Sequence, residues 1–223
     1  ELSQQKHKDV LVSTFLPSVA DGNLIASLES GIKVCDFGCG HGLVSVLMAK
    51  RFPNSVFFGF DLLEESIEAA KTCAQERGLT NCSFRVLDLS DSNSIEEYKE
   101  EFDYITAFDS IHDQTEPEIA LKAAHTMLKS SQDSLFSLID IKAHTNVLDN
   151  RANSFAPFLY TVSLMHCMPV GKGSDGKGRA LGMMWGQEQA TAMLEQIGFC
   201  VDVQEIPNDS FNIHYECRKR NTE

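Results

Sequence analysis

Positive charge is scarce in this chain of 223 residues: 19 Lys and Arg stand against 32 Asp and Glu, a formal net charge of −13. Phosphate backbones and anionic lipids are bound by clustered cations, so nucleic acid and membrane surfaces are not expected as partners. The sequence shows no basic-then-apolar leader and no unbroken apolar span near twenty residues. A secreted or membrane-spanning chain is therefore not expected, and a cytoplasmic location is. The seven cysteines are odd in number and never fall at C-x-x-C spacing, which speaks against a zinc or redox pair. Several sit in apolar runs, where a free thiol acts as a small hydrophobe and suits a reducing compartment. The chain opens at Glu1 without Met, as a trimmed chain would.

What is present is an alternation of strand and helix patterns in a length that suits one domain. Apolar runs ending in acidic residues ("IKVCDFG", "SVFFGFD", "CSFRVLD", "FDYITAFD", "SLFSLIDIK") read as five strands. Between them "LVSVLMAKRF", "LEESIEAAKTCAQERG", the short "SIEEYKEE" and "EIALKAAHTMLKS" read as helices, the last opened by a capping box at residues 115–118. A helical stretch over residues 5–28 precedes them. The helix "QEQATAMLEQIGF" and two strands, "CVDVQEI" and "FNIHYECRK", follow, the strands linked by "PNDS" as an antiparallel hairpin at the sheet edge. The pattern predicts an α/β fold: a doubly wound, mostly parallel seven-stranded sheet with helices on both faces. A helical insert follows strand 5, over residues 143–187. Residues 1–30 are expected as an N-terminal helical segment and residues 31–223 as the main domain. Such sheets bind ligands beyond the C-terminal strand ends.

Gly38, Gly40 and Gly42 alternate between the first strand and its helix. A dinucleotide fingerprint would read G-x-G-x-x-G, with pyrophosphate on the helix N-terminus. Here the third glycine comes one residue early, and Asp36 sits where it would repel a pyrophosphate but hold a cation. Residues 36–42, "DFGCGHG", resemble the D-x-G-x-G-x-G signature of class I S-adenosylmethionine-dependent methyltransferases. The resemblance implies S-adenosylmethionine as cofactor and S-adenosylhomocysteine as product. It assigns Asp36, Gly38, Cys39, Gly40 and Gly42 to the cofactor turn, Asp61 with Leu62 to the ribose, and Asp88 with Leu89 to the adenine. Asp109 and Ser110 fall at the methionine end. An NAD-binding domain is the competing reading of the glycines.

The acceptor is less plainly written. His112 and Asp113 follow the fourth strand and are similar to the His-Asp-Trp region of small-molecule O-methyltransferases, which implies His112 as base, although Gln114 replaces the Trp. In the bland reading the pair satisfies backbone groups at a helix entrance. In the insert, Phe155, Leu159, Val162 and His166 could share a helix face, as a lid, a core helix or a dimer interface. Tyr160, Ser163, His166 and Trp185 are the candidate acceptor contacts. "NRANSFAPFLYTVSLMHCM" and "LGMMWG" resemble a methyltransferase subgroup whose members often carry an N-terminal winged-helix half, absent here. The glycines of residues 171–178, interleaved with Lys172, Lys177 and Arg179, read as a mobile basic loop able to close over an acidic acceptor. No spacing is a metal-ligand motif, and no metal is expected. The reading is a methyltransferase acting on a small organic molecule, with O-methylation favoured and a homodimer possible. Methylation of protein or nitrogen, and a noncatalytic S-adenosylmethionine-binding module, are the alternatives.

Overall fold

The computed structural model describes residues 10–220; residues 5–9 of the expected first helix, and residues 1–9 and 221–223 of the two expected segments, lie outside the described residues. Seven strands form one sheet: β1 (Lys33–Phe37), β2 (Val56–Asp61), β3 (Cys82–Val86), β4 (Tyr104–Phe108), β5 (Leu135–Ile141), β6 (Phe199–Glu205) and β7 (Asn212–Lys219). Their order is β3-β2-β1-β4-β5-β7-β6. The first five pair in parallel, and only β7 runs against its neighbours, β5 and β6. The expected hairpin is therefore at the edge, but its outer strand is β6 and the last strand lies inside. The link between the two spans residues 206–211, longer than a tight turn.

Eight helices are named here: α1 (Asn23–Ser30), α2 (Leu43–Arg51), α3 (Glu64–Glu76), α4 (Ser92–Glu96), α5 (Pro117–Met127), α6 (Ala156–Val162), α7 (Met168–Lys172) and α8 (Gln187–Ile197). Strand residues alternate between two layers, as the two-residue period of a strand requires. Val34, Phe57, Tyr104, Leu135 and Ile139 face α1, α2 and the turns before α1. Cys35, Phe37, Ile105, Phe136 and Leu138 face α5 and α8. Every residue of β5 is buried, as expected of a strand covered on both faces.

Three expectations change. The helix α5 starts with Pro117 at its first turn and has no side-chain cap, so residues 115–118 do not form a capping box. Leu11–Ser30 is, among the described residues, long and apolar enough to cross a membrane by length and composition. It bends where Ala20 and Asp21 take left-handed backbone angles, and Leu11, Phe15, Leu16, Val19, Leu24 and Leu28 are buried against the sheet. In the insert, the buried face is Ala156, Leu159, Ser163 and Cys167, while Phe155 and His166 are exposed. A π-helical turn, Ser163–Cys167, rotates the register between α6 and α7.

Candidate active site

The strand order reverses between β1 and β4, and a cleft of about 410 Å³ opens beyond their C-terminal ends. Gly38 after β1, Asp61 closing β2, Asp88 and Leu89 after β3, and Asp109 and Ser110 after β4 line it. Leu62, Leu63, Leu87 and Phe60 supply an apolar wall. Asp113, Gln114, Thr115 and Glu116 form the far side, and Val170 of α7 reaches it from the insert. Asp61, Asp88, Asp109, Asp113 and Glu116 thus face the cleft, and no Lys, Arg or His is among the residues that line it.

The glycine turn is held from behind. Asp61 accepts hydrogen bonds from the Gly40 and Leu63 amides at 2.9 and 3.0 Å. Gly38 has φ +64°, and a Cβ there would lie 2.6 Å from the Ser110 Cβ, so the position has neither the conformation nor the room for a side chain. The Ser110 hydroxyl in turn donates to the Phe37 carbonyl at 2.9 Å. Asp88 accepts from the Ser90 amide and hydroxyl at 2.8 and 2.7 Å, which fixes the turn after β3. Asp109 takes a left-handed φ of +47° and accepts from Asn212 Nδ2 at 2.6 Å.

Asp36 departs from its expected place. Its carboxyl is buried and accepts from Ser45 and Thr106, each at 3.0 Å, and it does not line the cleft. Burial pushes its pKa up to about 7, against the two hydroxyl donors that favour the ionised form. Cys39, Gly40 and Gly42 shape the turn without lining the cleft either.

His112 is also displaced from the surface where a base was expected. Only 2% of it is exposed, and Nδ1 lies 2.7 Å from Asp140 Oδ1. Asp140 is itself buried in β5, where it accepts from the Ile141 amide and from Trp185 Nε1 at 3.1 Å. Burial works against charge on His112, but Asp140, Cys167 and Asp113 outweigh it and hold its pKa well above the usual histidine range. With Nδ1 held by Asp140 and the ring enclosed, His112 does not itself line the cleft. Asp113, 3.5 Å from His112 Nε2, is the member of this group that reaches the cleft.

The four candidate acceptor contacts do not line the cleft. Trp185 is buried on Asp140, the Tyr160 hydroxyl accepts from Asn150, Ser163 lies under Gly182, and His166 is exposed. The basic loop is not a free flap. Gly178 donates to the Lys172 carbonyl, Arg179 to Thr115, Ala180 to Gly171 and Gly182 to His112, so two backbone bonds fasten it to the end of α7 and two to residues 112–115. Gly178 has no room for a Cβ, which would lie 2.1 Å from the Gly171 carbonyl oxygen. Asp140, Gln114, Thr115, Glu116 and Val170 were missed. A lone Asp in the otherwise apolar "SLFSLIDIK" was the available signal for the first, and the place of Gln114 directly after His112 and Asp113 for the second; the others carry none.

Comparison with known proteins bears on the family and the fold. Residues 28–196 match a family model described as a methyltransferase domain. A ubiquinone biosynthesis O-methyltransferase of Actinobacillus pleuropneumoniae is 32% identical over 122 residues, covering 53% of this chain and 51% of that protein. The chain thus spans about half the length of the curated relatives it matches. An O-methyltransferase family protein from Burkholderia thailandensis has a similar fold, with a TM-score of 0.66 at 16% identity over 85% of this chain and 52% of that one. A methyltransferase-fold protein from Bacillus halodurans gives 0.65 at 16% identity, over 92% and 99% of the two chains.

Proposed function

The chain belongs to the class I S-adenosylmethionine-dependent methyltransferases, and from that premise we propose that it methylates a hydroxyl of a small organic acceptor in the cleft beyond β1 and β4. The observation that carries this is the lining: five carboxyl residues, an apolar leucine wall and no basic side chain. A cation bearing ribose hydroxyls and a flat base suits such walls, whereas the pyrophosphate of a dinucleotide would meet only like charge. When bound, S-adenosylmethionine supplies an electrophilic methyl on a sulfonium.

In this reading Asp61 accepts from the ribose hydroxyls and Asp88 from the adenine amino group, with Leu62 and Leu89 against the base. The backbone at Gly38 lets the cofactor lie close, and Asp109 and Ser110 flank its methionine end. Asp113 orients the acceptor hydroxyl, while His112 and Asp140 behind it are positioning residues that hold its carboxylate in place. Gln114, Thr115, Glu116 and Val170 shape the acceptor side in place of Tyr160, Ser163, His166 and Trp185. The O-methyltransferase names of the curated relatives support a hydroxyl acceptor.

Isothermal calorimetry with S-adenosylhomocysteine and with NAD tests the cofactor. Tight binding of the first, no binding of the second, and at least a tenfold loss on Asp61→Ala are expected. Binding of NAD alone would overturn the assignment. Label transfer from methyl-tritiated S-adenosylmethionine to a panel of small phenols, amines and thiols then tests the acceptor atom; label on amines alone would refute O-methylation.

A further inference from the structure

Behind the cleft wall, three side chains from separate parts of the chain converge: His112 and Asp113 after β4, and Cys167 at the end of the π turn. One ligand atom of each lies within 4.8 Å of the other two. His112 Nε2 and Asp113 Oδ1 are 3.5 Å apart. With metal–ligand bonds of about 2.0–2.3 Å, neighbouring ligands on a tetrahedral zinc ion stand roughly 3.3–3.7 Å apart, so this edge already has the right length.

The surroundings suit a metal more than a chance meeting of polar groups. Asp113 Oδ1 is buried and has no hydrogen-bond partner among the described residues. His112 Nε2, at 3.5 Å, is an ion-pair contact and not a hydrogen bond, which leaves the lone pairs of this buried oxygen open to a cation closer in. His112 is tied through Nδ1 to Asp140, and that carboxylate is fixed by the Ile141 amide and Trp185 Nε1. A carboxylate gripping one ring nitrogen is how ligating histidines are oriented, leaving the other nitrogen to face the ion. Cys167 is 2% exposed and unbonded to any other sulfur.

We propose that His112 Nε2, Asp113 Oδ1 and Cys167 Sγ form a zinc site with three protein ligands, open on the side of Asp113. A mixed nitrogen, oxygen and sulfur set selects a borderline-soft divalent ion over magnesium or calcium. Three protein ligands with one open position is the pattern of zinc sites that bind a further oxygen. Asp113 is the ligand that reaches the cleft, so a hydroxyl bound at the open position would be polarised there. That last role rests on the methyltransferase reading; the site itself does not.

The test is metal binding by the purified chain, with no turnover involved. Calorimetric titration with zinc chloride should show one equivalent bound. Cobalt(II) should give a thiolate-to-cobalt charge-transfer band in the near ultraviolet. Cys167→Ser should abolish that band and weaken zinc binding by more than about tenfold, while Cys200→Ser, at an exposed cysteine, should leave both unchanged. Asp140→Asn should weaken zinc by roughly 10–100-fold while keeping the band at saturating cobalt. Because His112→Ala uncovers the buried Asp140, thermal melting of Cys167→Ser confirms that the informative variant is folded. No thiolate band, or a band that survives Cys167→Ser, overturns the site. S-adenosylhomocysteine binding, measured separately, reports on the methyltransferase reading and distinguishes the two failures.

Discussion

At Asp36 the sequence motif and the physical role part company. A strand-end carboxylate beside three glycines suggests ligand contact, but β1 turns this side chain inward, onto Ser45 and Thr106. Between pH about 4 and about 7, the folded protein retains a proton there that the unfolded chain has released. Stability therefore falls as pH rises through that window and levels above it. Asp36→Asn removes this slope, so its stability relative to the parent should grow from pH 4 to pH 7, by up to a few kcal/mol at ~1.4 kcal/mol per pKa unit. Urea unfolding of both proteins at pH 5 and pH 8 checks this; equal differences at the two values would show Asp36 ionised in the native state. His214, pushed down to about 4 by burial, slopes the other way in both proteins and cancels in the comparison. That Asp61, Asp88, Asp109 and Ser110 line the cleft was legible because they close or directly follow strands at the C-terminal edge of the sheet. Which way Asp36 points, and that His112 meets Asp140 across 28 residues, depends on packing that periodicity does not encode.

Strands and long helices were readable from alternation and helical spacing, and their bounds differ by up to three residues, whereas the short charged helix expected over residues 94–101 is the earlier turn α4, Ser92–Glu96. The turns before α1, the π turn before α7 and the uncapped start of α5 were not. Their hydrogen bonds are set by what they rest against. The loop after α7 is the clearest case: four glycines in a basic run read as mobile, yet four backbone bonds stitch it to its neighbours. Those bonds need Gly178, where a methyl group has no space. Gly178→Ala should loosen residues 173–182, cost about 1–3 kcal/mol, and admit trypsin at Lys172, Lys177 or Arg179 in limited proteolysis. Unchanged cleavage and unchanged stability would show that the loop does not depend on this close approach.

For the molecule as a whole, the doubly wound class followed from the strand–helix rhythm, and the reversal point located the cleft. The placing of β7 did not follow from rhythm, because two adjacent antiparallel strands can join a sheet by either member. The short link between the last two strands supplied the antiparallel hairpin, and the pairing of β5 with β7 supplied its position. That position has a consequence for biosynthesis. While the chain emerges from the ribosome, β5 is made some seventy residues before its neighbour on that side, and β6 has no parallel partner to join. The sheet stays split until β7 slides between them, so the β5–β7 contacts span some seventy residues and form late, while those of β6 with β7 close across a short link. Nascent chains stalled before residue 212 should be cut by protease within β5, and chains released after residue 219 should resist. β7 is thus the keystone of the sheet, and any ribosomal pause shortly upstream of it exposes to the cell the open edge of β5, a strand buried throughout in the folded protein.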